Sequence, residues 1–176
     1  EIEAFYQMHY LHTKQQLLAL SFTEAEPDTF KNAAEIFNSY YDALKHFSSD
    51  HPEVKSQSKF ESTFLEEIST YLFHALPEIL DGSLGVYNKR IFAGLKINND
   101  KTVDVITKDV DFCIGKAISL SIDQQAPTQL VLPVVAVEVK TFLDATMFGE
   151  VKSSSRAIKS ASPNAKTYVL MGYRSL

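Results

Sequence analysis

The sequence is poor in the residues that form disulfides and soft-metal sites. Its 176 residues include one cysteine, Cys113, and no tryptophan. A single cysteine cannot form an internal disulfide, and it excludes a zinc site built on cysteine pairs within this chain. We therefore expect Cys113 to be a small buried side chain, which fits a reducing, intracellular setting.

Long apolar runs are also absent. No run reaches the roughly 20 residues that a membrane-spanning helix requires. The opening segment EIEAFYQMHY lacks the basic and continuously apolar regions of a secretory signal, and it does not begin with Met. These features predict a processed or trimmed chain without a secretory signal.

Histidine and positive charge are distributed unevenly along the chain. All five histidines lie at or before residue 74. Residues 1–82 hold 14 acidic and 5 basic side chains, whereas residues 83–176 hold 8 acidic and 12 basic ones. The net charge of −5 argues weakly against a general polyanion binder, but the second half leaves room for a nucleic-acid surface.

The first part of the chain has the hydrophobic period of helices. Apolar residues recur three and four positions apart, and polar or proline-containing segments separate the periodic stretches. The predicted helices cover residues 2–21, about 28–47 and about 60–75. We assign residues 1–58 to an N-terminal helical region.

After residue 82 the pattern changes to short β-like runs. The predicted strands are SLGVYN, RIFAGLKI, VDVITKDVDFCIG, KAISLSI and VLPVVAVEVKT. A helix over residues 143–160, capped by Thr141 or Asp144, and a final strand KTYVLMGY follow. This order of elements indicates an α/β core over residues 59–176.

Two charged residues end the most apolar of these strands. In PVVAVEVKTFLD, alternation places Glu138 and Lys140 on one face, about 7 Å apart along the strand. Burying either charge without a partner would cost several kcal/mol or more. Each therefore needs the other, a third charged group, or a metal. A structural ion pair at the strand end is the simplest alternative.

A third charged group comes from the run KDVDFCIG, predicted as a strand over residues 108–115. Asp111 is flanked by Val110 and Phe112, whereas Asp109 lies nearer the turn and is more easily solvated. Acids from two neighbouring strands, with no histidine nearby, form an all-oxygen site that suits Mg²⁺. With Lys140 to orient water and stabilise negative charge, this set predicts metal-dependent phosphodiester hydrolysis.

Asp111, followed by Glu138-Val139-Lys140, a helix and a strand, resembles the PD-(D/E)XK nuclease superfamily. Val110 stands where the family usually has proline, and 27 residues separate Asp111 from Glu138. The segment from VEVK to YVLMG is similar to the type II restriction endonuclease branch, including the BbvCI-like group. The match covers about residues 60–176.

The resemblance implies a restriction-endonuclease-like mixed central sheet flanked by helices. It also implies an Mg²⁺-dependent endodeoxyribonuclease that cuts double-stranded DNA at a specific site in a bacterial or archaeal cytoplasm. Its catalytic residues would be Asp111, Glu138 and Lys140, and the two acids would also bind the metal. Cutting both strands requires two active sites or sequential nicks, so we expect a homodimer or a partner subunit.

Members of this superfamily often add a glutamate from the first core helix to the metal site. Within SKFESTFLEEISTYLF, Glu61 falls near the middle of the apolar stripe and Glu67 at its edge, whereas Glu66 points towards solvent. Glu61 and Glu67 are therefore the predicted additional ligands. A first-turn acid favoured by the helix dipole, or an ordinary rim residue, is the structural alternative.

Basic residues follow the catalytic motif at helical spacing. Lys152, Arg156 and Lys159 fall on one face of the helix after VEVKT, which the resemblance places near the DNA backbone. A solvated helix face explains the same pattern. Lys89 and Arg90, in a turn between strands, are weaker candidates for phosphate contacts.

Two other functions share these features. One is a catalytically silent DNA-binding or assembly subunit with a nuclease-like fold, and the complete Asp111, Glu138 and Lys140 set argues against it. The other is a repair nuclease of the same superfamily, which would use the same site on branched or single-stranded substrates.

Overall fold

A computed structural model describes residues 1–21, 27–55, 59–88, 90–122 and 126–174. The chain divides into two compact units, Glu1–Asp81 and Gly82–Leu176. The boundary predicted between residues 58 and 59 falls inside the first of these units and stays a prediction about the extent of the nuclease core. None of the helices in these described ranges combines the length and apolarity needed to cross a membrane.

The described part of the first unit is helical. Its elements are α1 (Ile2–Phe5), a π-helical turn (Tyr6–Tyr10), α2 (Leu11–Leu18), α3 (Pro27–Asp50), α4 (Pro52–Lys55), α5 (Phe60–Thr70) and α6 (Pro77–Leu80). The three predicted helices are confirmed in position. The third ends at Thr70 rather than near residue 75, because the chain continues in turns up to Pro77.

Aromatic side chains form the core of the first unit. Phe5, Tyr10 and Tyr40 are buried. The rings of Phe5 and Tyr10 each contact Tyr40 and Phe64, edge-on or tilted. The hydroxyl of Tyr10 donates a hydrogen bond to the Glu67 carboxylate. Burial, and then this bond, raise the pKa of Tyr10 above its ordinary value. The Tyr10 hydroxyl is a polar group within an aromatic core, so it needs a hydrogen-bond acceptor, and Glu67 provides one.

The described part of the second unit contains six strands and one helix. They are β1 (Gly85–Tyr87), β2 (Ile91–Ile97), β3 (Val103–Lys108), β4 (Phe112–Leu120), β5 (Thr128–Leu143), α7 (Ala145–Ala161) and β6 (Lys166–Arg174). Four strands form a sheet in the order β1-β4-β5-β6, and β2 and β3 form a separate two-stranded sheet. β4 pairs antiparallel with β5, whereas β6 pairs parallel with it, so the main sheet is mixed. A parallel partner requires a crossover, which α7 provides.

The start of β4 differs from the sequence-based prediction. The predicted strand over residues 108–115 is wrong at its beginning, because Lys108 ends β3 and residues 109–111 connect the two strands. The two runs predicted around DFCIG and KAISLSI are one continuous strand. A bulge between Ile114 and Gly115 lets it follow β5 past Pro133, which cannot donate a ladder hydrogen bond.

Helix α7 and the sheet share an apolar core. Ile158 packs with Cys113 and Ala136 from the two central strands, in a buried cluster that also contains Ile91, Val110 and Ala165. The predicted burial of Cys113 is confirmed, and burial raises the pKa of its thiol to about 12. Of the two predicted caps, Asp144 begins the helix, since its Oδ1 accepts from the Met147 N–H at 2.8 Å. Thr141 instead belongs to β5.

Two glycines of the second unit should respond oppositely to alanine. A Cβ at Gly115 would overlap the Leu132 carbonyl oxygen across the bulge, whereas a Cβ at Gly149 in α7 would meet nothing within 4 Å. We expect Gly115→Ala to destabilise the fold by about 1–3 kcal/mol. Gly149→Ala should stabilise it by about 0.5–1 kcal/mol. Urea denaturation followed by circular dichroism measures both, and equal stability of Gly115→Ala and the unmodified chain would contradict the register at the bulge.

Candidate active site

The acid and the base at the end of β5 contact each other. Alternation along the strand sends both side chains to one face, opposite Val169 and Met171 of β6 in the ladder. The Lys140 Nζ donates a hydrogen bond to Glu138 Oε2 at 3.3 Å. The upstream residues Ala136 and Val137 are buried, so the pair stands where the strand leaves the apolar core.

Asp111 joins this pair through the backbone of β5. The β4–β5 ladder begins at Phe112 opposite Val137, so Asp111 lies just before the first paired residue of β4. Its Oδ2 accepts a hydrogen bond from the Val139 N–H at 2.6 Å. The carboxylate thus replaces a backbone carbonyl at the end of the ladder. Buried Val110 and Phe112 hold it in place on either side.

One ammonium therefore lies between two carboxylates. The Lys140 Nζ is 3.8 Å from Asp111 Oδ2, in addition to its contact with Glu138. The side chains of Lys140, Asp111 and Glu138 are 28%, 22% and 18% exposed. Such partly buried charges are less screened than surface ions but still reach solvent. The three groups carry a net charge of −1, which a cation can balance.

A cavity of about 390 Å³ opens beside the pair. Glu138 and Lys140 line it, together with Lys108 at the end of β3, Asp109 directly after it, and Glu150 and Ser153 of α7. From the sequence, Asp109 is predicted to be solvated, and no role is predicted for Glu150. The spacing of Glu150 from Ser153 and Ser154 on one helix face is the signal that could have drawn attention to it.

The carboxylate oxygens of this site are suitable ligands for a hard cation. Carboxylate oxygens are the ligands that Mg²⁺ prefers, and the contacts above use Oδ2 of Asp111 and Oε2 of Glu138. The other oxygen of each carboxylate is the candidate ligand. Among the described residues of the second unit, no three acidic, histidine or cysteine ligand atoms lie within 4.8 Å of one another. A metal held here would keep several waters, as Mg²⁺ usually does.

The two glutamates predicted as additional ligands both belong to α5 of the first unit. Glu61 is half-buried in the first turn, and Glu67 accepts the hydrogen bond from Tyr10. The predicted exposures of Glu66 and Glu67 are reversed, because Glu66 is half-buried and Glu67 is exposed. The helical period alone did not show that a tyrosine of another helix contacts Glu67. The metal-binding role of Glu61 and Glu67 stays a prediction.

The basic residues predicted to contact DNA are exposed on α7. Lys152, Arg156 and Lys159 all have exposed side chains. Lys152 and Arg156 also line a groove between α7 and the main sheet. Arg90 is exposed, and Lys89 lies outside the described residues. The role of these residues in DNA binding stays a prediction.

Comparison with known proteins identifies the fold. A search of curated proteins finds no match. Among solved structures, the chain is similar to the native BbvCI A2B2 tetramer, with a TM-score of 0.75 and 14% sequence identity over 100% of this chain and 68% of that one. The expected restriction-endonuclease-like mixed α/β fold is thereby confirmed.

The sequence itself matches a family model. The model described as Bpu10I restriction endonuclease covers residues 57–176, which is more than half of the chain and includes the whole second unit. The chain belongs to the Bpu10I restriction endonuclease family.

Proposed function

We propose that this protein is an Mg²⁺-dependent endodeoxyribonuclease of the PD-(D/E)XK type, acting as a type II restriction endonuclease in a bacterial or archaeal cytoplasm. The observation that carries the proposal is the convergence of Asp111, Glu138 and Lys140 at one end of the β4–β5 ladder. Two carboxylates and one ammonium on a sheet margin match the needs of phosphodiester hydrolysis.

Asp111 and Glu138 are the residues that would hold Mg²⁺. When bound, the ion activates a water molecule and neutralises charge on a phosphate oxygen. The hydrogen bond that Asp111 accepts from the Val139 N–H fixes one carboxylate relative to β5. Glu138 is the residue of β5 directly before Val139. Both acids are thus held by the same stretch of backbone, which limits the movement of one relative to the other.

Lys140 supplies the positive charge of the protein itself. Its ammonium, held by both carboxylates, can donate hydrogen bonds to the attacking water and to the phosphate as negative charge develops. Hydrolysis places the water oxygen on phosphorus and breaks the bond to the leaving oxygen, which takes up a proton. An ammonium already in position needs little reorganisation during this step.

Double-stranded DNA is the proposed substrate. Lys152, Arg156 and Lys159 are the proposed contacts to the phosphate backbone, since neutralising phosphates supplies most of the sequence-independent affinity for DNA. The similar solved structure is an A2B2 tetramer, so a partner subunit is as reasonable here as a homodimer. Each active site would cut one strand.

Removing a single charged group of the site should abolish cleavage without removing the fold. We expect Asp111→Asn, Glu138→Gln and Lys140→Ala to lower the rate of plasmid nicking at least about 100-fold. Asp111→Asn keeps an oxygen that can accept from the Val139 N–H, whereas Asp111→Ala should also lose about 1–3 kcal/mol of stability. Conversion of supercoiled plasmid in Mg²⁺ measures the rates, with EDTA as the blank.

Lys116→Ala, at an exposed lysine of β4 that is neither in the site nor a proposed DNA contact, is the matched control for loss of a basic residue. Cleavage by Lys140→Ala at the unmodified rate would contradict the assignment. If the unmodified chain binds DNA but nicks none in Mg²⁺ or Mn²⁺, alone or with its natural partner, the protein is a silent binding subunit. Preference for branched or single-stranded DNA over duplex would indicate a repair nuclease.

The predicted glutamate ligands can be distinguished on one helix. We expect Glu61→Gln or Glu67→Gln to raise the Mg²⁺ concentration that gives half-maximal nicking, and Glu66→Gln to leave it unchanged, because an added carboxylate increases affinity for a hard cation. Thermal unfolding separates this effect from the structural role of Glu67 as acceptor for Tyr10. Unchanged Mg²⁺ dependence in both variants would remove α5 from the metal site.

A further inference from the structure

A groove runs between α7 and the face of the main sheet that carries Glu138. Its volume is about 260 Å³. Ala136, Ile158 and Val169 contribute apolar surface to it, and Lys152 and Arg156 are charged residues of its lining. Ser155 of α7 and Thr167 of β6 share a hydrogen bond of 2.6 Å between their hydroxyl groups, which ties the helix to the edge strand along this groove.

The groove continues into the candidate catalytic cavity. Glu138, Val151 and Ser154 line both spaces. A ligand that extends from the catalytic cavity along α7 would therefore enter the groove. Both spaces belong to the second unit, so this continuity depends on β5 and α7 of that unit alone.

Three exposed side chains on α7 border the groove at intervals of one helical turn. Phe148, Lys152 and Arg156 are four residues apart, which places them on one side of the helix about 6 Å apart along its axis. Phe148 is 47% exposed, although aromatic rings are usually buried or in contact with a partner. Lys159 is exposed on the same helix but does not line the groove.

We propose that this groove receives the DNA strand that flanks the scissile phosphate. Lys152 and Arg156 contact neighbouring phosphates of that strand, and the ring of Phe148, one helical turn before Lys152, packs against an adjacent nucleoside. The inference rests on the proposed nuclease function. Charge complementarity and continuity with the catalytic cavity select this occupant, because a polyanion with apolar sugar and base surfaces matches an aromatic ring followed by two cations.

The proposal places two of the three basic residues of α7, Lys152 and Arg156, in this groove. The test is fluorescence anisotropy of a labelled mixed-sequence duplex, titrated with the full chain in Ca²⁺ at several salt concentrations. We expect Lys152→Ala and Arg156→Ala each to reduce the slope of log affinity against log salt by about one. Lys116→Ala, at an exposed lysine of β4 outside the groove, is the matched control and should leave the slope unchanged.

Phe148 should act differently from the cations. We expect Phe148→Ala to weaken binding about tenfold at every salt concentration without changing the slope, and Phe148→Tyr to bind like the unmodified chain. Because about half of the ring is buried, Phe148→Ala should lower the midpoint of thermal unfolding by only a few degrees, and Phe148→Tyr should leave it unchanged. This check separates a binding contact from a structural one.

The outcomes separate the groove from the nuclease function. Normal affinity and normal slopes in all three groove variants overturn the proposal, even if Lys140→Ala abolishes cleavage. A loss of affinity that is confined to Lys159→Ala, outside the groove, also overturns the groove proposal. If the groove variants weaken binding as expected while the unmodified chain cuts no DNA, the result supports the groove proposal and contradicts the nuclease proposal. Absence of DNA binding by the unmodified chain contradicts both.

Discussion

The position of the Asp111 carboxylate links the fold to the site. It accepts from the Val139 N–H and lies 3.8 Å from the Lys140 ammonium, so the same group ends a β-ladder and joins a charged cluster. Without this bond, the N–H between Glu138 and Lys140 would lose its partner at the sheet margin. The chemistry proposed here therefore depends on where β4 begins, one residue after Asp111, as much as on the identity of the acid.

The remaining structure of the second unit keeps β5 in place. β4 and β6 pair with it on either side, and α7 covers the face that bears Glu138 through Ile158 and the Ser155–Thr167 hydrogen bond. Asp144 begins α7 directly after β5 ends. A short path from the charged motif to the helix brings Glu150, Val151 and Ser154 beside Glu138. The cavity is thus a consequence of local chain geometry.

Much of this arrangement could be predicted from the sequence. Alternation in VEVK placed Glu138 and Lys140 together, because strand geometry fixes the face of each side chain. The backbone bond of Asp111 could not be predicted, since it depends on the register between strands distant in sequence. The hydrogen bond from Tyr10 to Glu67 could not be predicted either, since it joins helices distant in sequence. A tertiary contact with Tyr10, and not the period of α5, determines the environment of Glu67.

The central claim is that Asp111 and Glu138 together hold a divalent cation. Anomalous diffraction from crystals soaked with Mn²⁺, which can replace Mg²⁺ at oxygen sites, tests it most directly. The account predicts a single peak in contact with one oxygen of each carboxylate, and its loss in Asp111→Asn crystals. A peak elsewhere, or carboxylates that bind no metal with Lys140 still between them, would contradict the account and leave a purely structural ion pair.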